Sequence, residues 1–114
     1  MKLIVAGGRS FTNYSHLSEC IEVNFDLSDL EIVSGCARGA DALGIKFAEE
    51  NDIPLTKFPA DWDRHGKSAG YIRNAEMADY ADSLLAFWDG RSRGTKHMID
   101  LARKKGLGVN IVRY

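Results

Sequence analysis

The sequence predicts an α/β fold: a single domain with a five-stranded parallel sheet and helices on both faces. Three observations carry that expectation. Five short β-type runs alternate strictly with four stretches of helical period, the connections are short, and glycine and arginine gather in the segments that follow the strands. A chain of 114 residues, 45% hydrophobic and 27% charged, has the size and composition of one globular domain with one core, spanning 1–114.

The first run, Leu3-Ile4-Val5-Ala6, is apolar throughout and ends in Gly7-Gly8, as in a strand buried on both faces. Tyr14, Leu17, Cys20, Ile21 and Phe25 then recur at helical spacing. Glu31-Ile32-Val33-Ser34 is the second strand. Ala40, Leu43, Gly44, Phe47 and Ala48 form the apolar stripe of the second helix. Pro54 to Phe58 is the third strand, with its proline at the start, where a missing N–H costs least.

A polar loop, Pro59 to Lys67, leads to a helix over Ser68 to Tyr80, with Ile72, Ala75 and Met77 as its inward side chains. Ser83 to Phe87 is the fourth strand. After the loop Trp88 to Arg93, Thr95, Met98, Ile99 and Ala102 mark the last helix, which stops near Gly106. Val109 to Val112 closes the sheet. A βαβαβαβαβ order implies right-handed crossovers, with ligands bound outside the carboxyl ends of the strands.

That rule makes the βα loops the place to look. Of 15 Lys and Arg residues, eight lie in or just after them: Arg9, Arg38, Arg64, Lys67, Arg73, Arg91, Arg93 and Lys96. Glycine lets backbone approach a ligand closely, helix N-termini offer free N–H groups to anions, and arginine presents a fork of donors to phosphate. A net charge of −1 gives no global field for nucleic acid or anionic lipid, so this rim is the anion-seeking part of a neutral domain.

The first loop, Gly7-Gly8-Arg9-Ser10-Phe11, is either a tight turn or a phosphate contact; it is not the full dinucleotide fingerprint, and there is no P-loop. The second, Ser34-Gly35-Cys36-Ala37-Arg38-Gly39-Ala40-Asp41, ends in a carboxylate that either favours a helix start or touches a ligand, such as a ribose hydroxyl. In the third, Asp61-Trp62 and Arg64-His65-Gly66-Lys67 precede Arg73-Asn74. Trp62 is either core or a stacking face, and His65 either a hydrogen-bonding loop residue or a catalyst. His16 and His97 read as surface residues. Arg73 lies in the first turns of its helix, where a cation opposes the dipole unless an anion joins it.

The fourth loop, Trp88-Asp89-Gly90-Arg91-Ser92-Arg93-Gly94-Thr95, places two arginines, two glycines and two hydroxyls directly before a helix. It reads as a phosphate loop, with a solvated, flexible turn as the plain alternative. Cys20 and Cys36 have no metal or redox spacing, and no metal site is expected. The N-terminal apolar run is too short for a signal peptide, and no run reaches the length of a membrane span, so a cytoplasmic location is expected.

These residues carry a resemblance. Ser34-Gly35-Cys36-Ala37-Arg38-Gly39-Ala40-Asp41 looks like the Ser-Gly-x-Ala-x-Gly-[Ile/Ala]-Asp segment of the DNA-processing protein family. Arg73-Asn74-Ala75-Glu76-Met77, Ala81-Asp82 and Gly90 to Thr95 are similar to the Arg-Lys-x-x-Met, Ser-Asp and Pro-Gly-Gly-x-Gly-Thr-x-x-Glu series of the cytokinin-activating phosphoribohydrolases. Both belong to the SLOG superfamily. The pattern from Gly-Gly-Arg-x-Phe through Phe-Pro-Ala-Asp-Trp and His-Gly-Lys-x-Ala-Gly to Phe-Trp-Asp-Gly-x-Ser-x-Gly-Thr most closely resembles its small YspA-like branch.

The resemblance implies a Rossmann-like fold, a site for a nucleotide or nucleotide-sugar phosphate and, from the related families, a homodimer. One departure matters. The glutamate that ends the phosphoribohydrolase motif is replaced by Met98, which supplies neither acid nor base, whereas the matching Arg73 is kept. The expected function is therefore ligand binding, as a sensor, sequestering or accessory module. A hydrolase using Asp41, Asp61, Asp89 or His65 is the first alternative. Single-stranded DNA binding is the second, with nucleic acid disfavoured by the net charge.

Overall fold

A computed structural model describes all of residues 1–114. The strands are β1 (Lys2–Gly7), β2 (Glu31–Ser34), β3 (Leu55–Lys57), β4 (Ser83–Trp88) and β5 (Gly108–Arg113). The helices are α1 (Tyr14–Asn24), α2 (Ala40–Glu50), α3 (Trp62–His65), α4 (Ala69–Tyr80) and α5 (Arg93–Lys104), with 3-10 turns at Leu27–Asp29 and Gly66–Ser68.

All four strand pairings are parallel, and the order across the sheet is β3-β2-β1-β4-β5. The Rossmann-like α/β fold expected from the sequence is the fold observed.

Successive side chains of a strand face opposite ways, so β1 feeds two cores. Leu3 and Val5 pack with Leu17 and Ile21 of α1 and with Phe47 of α2. Ile4 and Ala6 pack with Met77 of α4 and with Met98, Ile99 and Ala102 of α5. The chain thus lays β1, β2 and β3 outward with α1 and α2 on one face. It then returns across the sheet to β4, and α4 and α5 cover the other face. Each large aliphatic side chain so buried contributes roughly 1.5–3 kcal/mol.

Two local expectations are corrected. Pro59 to Lys67 is not all loop: Asp61 caps α3, its Oδ1 accepting from the Arg64 N–H at 3.1 Å. One turn of helix is too short to show a period. Within α4, Ile72 is exposed at 37%; the buried residues are Ala69, Asn74, Met77 and Ala78, and Ala75 is half-buried. A polar residue, Asn74, takes an inward position that an apolar-stripe reading assigns elsewhere. No helix is long and apolar enough to cross a membrane.

Candidate functional site

Because α1 and α5 leave β1 and β4 toward opposite faces, the carboxyl ends of these adjacent strands leave a crevice between them. It is a cleft of about 510 Å³, within the size range of small-molecule sites. Ala6, Met77 and Met98 give it an apolar floor. Met98 is 1% exposed. The position that would hold a glutamate in the phosphoribohydrolase motif is therefore a packed thioether.

One wall is organised around α4. Nε of Arg73 donates to Oδ1 of Asn74 at 3.0 Å, and its Nη1 donates to the carbonyl of Gly35. A side chain at Gly35 would collide with this arginine, since an added Cβ would lie 2.6 Å from Nη1 and 2.9 Å from Oδ2 of Asp41. Nδ2 of Asn74 donates to the carbonyl of Gly94 at 3.2 Å and faces Nδ1 of His97 at 3.1 Å. That contact is a hydrogen bond when Nδ1 carries no proton. The buried amide ties Arg73 to the first turn of α5. Burial also draws the His97 imidazole below its ordinary range, against a weaker upward pull from Asp100.

Asp41 is 4% exposed in the first turn of α2 and lines the cleft; Gly39, rather than Asp41, is the N-cap. Its Oδ2 accepts from the Ala37 N–H at 3.3 Å, so it closes its own loop. Burial pushes its carboxyl above the usual range, with the Ala37 N–H and the charge of Arg73 pulling the other way.

The opposite wall is the start of α5. Ser92 is its N-cap: the hydroxyl accepts from the Thr95 N–H at 3.3 Å and pairs with the Thr95 hydroxyl at 2.9 Å. Oδ1 of Asp89 accepts from the N–H groups of Arg91 and Ser92, both at 2.8 Å, which holds its carboxyl below the usual range. Nε1 of Trp88 donates to the Ser92 carbonyl. The fourth loop is thus an internally bonded turn.

Several sequence-predicted residues converge on the cleft. Gly7, Gly8, Arg9 and Ser10 come from the first loop, and Ala37 and Asp41 from the second. Trp62, Lys67, Arg73 and Asn74 come from the third, and Asp89, Ser92, Gly94 and Thr95 from the fourth. Gly35 and Arg38 border a smaller groove alongside.

Others do not line the cleft. Phe11 is stacked on Phe87 at 4.5 Å, with Tyr114 edge-on to it, and belongs to the core. Ser34 is fully buried, and its hydroxyl donates to the backbone of Asp41. Gly39 and Gly90, at φ +80° and +85°, turn the backbone beside Gly8 and Arg113, and Trp88, the last residue of β4, lies beneath the Arg113 guanidinium. Asp61 is spent as a cap, and His65 is half-buried at the end of α3, outside the cleft. Arg91 and Arg93 are exposed and do not line it.

The surface reading of the other two histidines also changes. His97 is half-buried against Tyr71 at 4.4 Å, and half-buried His16 stands edge-on to Phe87. The sequence reading passed over Gly70 and Tyr71 as lining residues. The available signal for Tyr71 was an aromatic side chain in the first turn of the helix that follows the third loop.

The cations that border the cleft and its side groove take part in no ion pair. All four ion pairs lie elsewhere: the N-terminal amine with Asp29, Lys46 with Glu50, Lys96 with Asp100, and Lys105 with Asp79. Arg9, Arg38, Lys67 and Arg73 have no carboxylate within ion-pair distance.

A parallel sheet with this order, open at its switch point, defines a Rossmann-like α/β domain. Residues 1–65 match the family described as "YspA, cpYpsA-related SLOG family". The Gene 61 protein of Mycobacterium phage D29 is 34% identical over 95% of this chain and 93% of its own length. The chain belongs to this YspA-related SLOG family.

Its fold is similar to that of DNA processing protein A from Helicobacter pylori, in a structure described for a single-stranded DNA binding mode. The TM-score is 0.67 at 18% identity, covering 97% of this chain. The chain spans 64% of the length of that neighbour.

Proposed function

We propose that the protein binds a nucleotide or nucleotide-derived phosphate in the cleft above β1 and β4, as a sensor, sequestering or accessory module. The observation that carries this reading is the set of unpartnered cations, Arg9, Lys67 and Arg73, lining one cleft. What distinguishes these three is that they border one concave space, together with Gly94 and Thr95 at the N-terminus of α5, an end that favours the same anion. Trp62, 53% exposed, supplies an aromatic face for a base. A cytoplasmic setting belongs to the same proposal, since the free thiols of Cys20 and Cys36 suit a reducing compartment. So does a homodimer, for which exposed Tyr71 and Ile72 offer apolar surface on α4.

Titration calorimetry with AMP, ADP and ADP-ribose tests the reading, using the wild type and Arg73→Ala. A charge-assisted hydrogen bond contributes about 1.5–3 kcal/mol, so the variant should bind roughly tenfold or more weakly. Equal affinity in both proteins, or no binding of any of the three, would sink it. Free base or phosphate released from these ligands at high protein load would instead make the protein a hydrolase, with Asp41 and Asp89 as the carboxylates at hand in the cleft.

A second reading is single-stranded DNA binding. It is favoured by the likeness to the Helicobacter pylori protein and by the sequence of exposed Trp62, Arg64 and Lys67, which resembles a stacking platform with cations. The net charge of −1 weighs against it. An oligonucleotide affinity that falls steeply between low and physiological salt would favour this reading.

A further inference from the structure

Gly8 occupies a place in the first loop that its own backbone does not explain. Its φ is not among the positive ones, so the chain does not call for glycine there on conformational grounds. A side chain is kept out for another reason. An added Cβ would overlap the Tyr114 hydroxyl and lie 3.0 Å from Cζ of the same ring, and its three nearest heavy atoms all belong to that tyrosine. The first loop is shaped to a residue that follows the last strand.

Tyr114 is held in three ways. Its N–H donates to the Trp88 carbonyl at 3.3 Å, its ring stands edge-on to Phe11 at 5.0 Å, and its hydroxyl hydrogen-bonds the Ser10 hydroxyl at 3.1 Å. Because β4 lies between β5 and β1, this side chain crosses the carboxyl end of β4 to reach the loop after β1. Arg113, one residue earlier, is in register with Trp88 and lays its guanidinium over that indole, beside Gly90. The end of β5 therefore grips the first loop with one side chain and the fourth with the other. Neither of the two lines the cleft, whereas Gly8, Arg9 and Ser10 do. Tyr114 is 42% exposed, so truncating it leaves the buried core occupied.

Resting on the nucleotide reading above, we infer that Tyr114 is a positioning residue for the cleft. It sets where Arg9 stands by clamping the loop at Gly8 and Ser10 on either side, while Arg113 fixes the strand end from which it reaches. A cation already held in place loses less conformational freedom when an anion arrives, so the clamped loop binds more tightly.

Two measurements on wild type and Tyr114→Ala check this. Hydrogen exchange without ligand follows the amides of Gly8 and Phe11, which are bonded to the carbonyls of Phe87 and Gly8. Both should exchange about tenfold faster in the variant, while those of Leu3 to Ala6 keep their rates. ADP titrations followed by NMR, which also read weak binding, should show the variant binding about fivefold or more weakly. In an Arg9→Ala background the same change should cost less than about twofold, because the cation it positions is gone. A residue that only supported the fold would weaken binding equally in both backgrounds. Should Tyr114→Ala not fold, as judged by its melting curve, Tyr114→Leu, which keeps apolar cover on Phe11, is measured in its place.

Unchanged exchange at Gly8 and Phe11, undiminished ADP affinity, or an equal loss with and without Arg9 overturns the positioning role and leaves the nucleotide reading standing. Failure of the wild type to bind ADP overturns the nucleotide reading, and the exchange rates then decide the role of Tyr114. They decide it likewise where Arg9→Ala binds no ADP.

Discussion

Arg73 shows how a single residue acquires a role from its neighbours. Arg73 is the fifth residue of α4, where a positive charge gains nothing from the helix dipole. Its neighbours hold it instead: Gly35 offers a carbonyl and no side chain, and Asn74 offers an oxygen while its nitrogen holds Gly94 and His97. His97 is therefore a positioning residue, two bonds removed from the guanidinium. Its bond to Asn74 needs a bare Nδ1, and protonation there would set N–H against N–H. Burial lowers its pKa in the folded protein, so the unfolded chain takes up the proton first as pH falls. The linked stability is present above the ordinary histidine range, at about pH 6.5, and is lost as pH drops through the folded value. Ligand affinity should weaken in the same window. Melting temperature and ligand Kd followed from neutral to mildly acidic pH should show this decline, and His97→Gln should flatten it; parallel profiles in the two proteins would exclude His97 as the cause.

At the scale of elements, the start of α5 decides most. Asp89 braces the loop backbone by accepting from Arg91 and Ser92, and Ser92 caps the helix by accepting from Thr95. Replacing Ser92 by alanine removes the acceptor for the Thr95 N–H and leaves the buried Thr95 hydroxyl without its partner. The expected loss is about 1–2 kcal/mol, read as a fall of several degrees in a thermal melt. An unchanged melt would mean that the cap contributes nothing. The composition of this loop was legible in sequence, but not that Asp89, Ser92, Gly94 and Thr95 would line the cleft while Arg91 and Arg93 would not. The phase of α4 was not legible either. Asn74 is inward because of Gly94 and His97, residues about twenty positions away, and no periodicity of apolar side chains reports such a partner.

Across the whole molecule, the site depends on two βα units locking together. Gly39 lies at φ +80°, and an added Cβ would meet the Gly8 carbonyl at 2.2 Å and Cα of Arg9 at 2.7 Å. That same carbonyl accepts from Phe11 and Ala40, so the first loop is bonded to the start of α2. Gly39→Ala should cost more than about 1 kcal/mol, because alanine neither adopts this backbone easily nor fits beside Gly8. It should also weaken ligand binding by displacing Arg9. Denaturant melts with parallel titrations check both; full stability in the variant would show that the two loops can part without consequence.

Phe11 marks a limit of sequence reading at this scale. As part of a glycine-rich loop it reads as a ligand contact, yet the fold brings Phe87 and Tyr114 against its ring and makes it core.

By itself the sequence determined the alternation of strands and helices, the parallel sheet and the rim where glycine and arginine collect. These follow from local period and chain direction, which a linear string records. It also determined that Met98, not a carboxylate, occupies the last motif position. Only the tertiary structure decided which loop residues face a common space, and that Arg9 and Arg73 border both the cleft and the groove beside it. Those are properties of side chains from separate βα units meeting over the strand ends. The distances between them are set by how α2, α4 and α5 pack on the sheet.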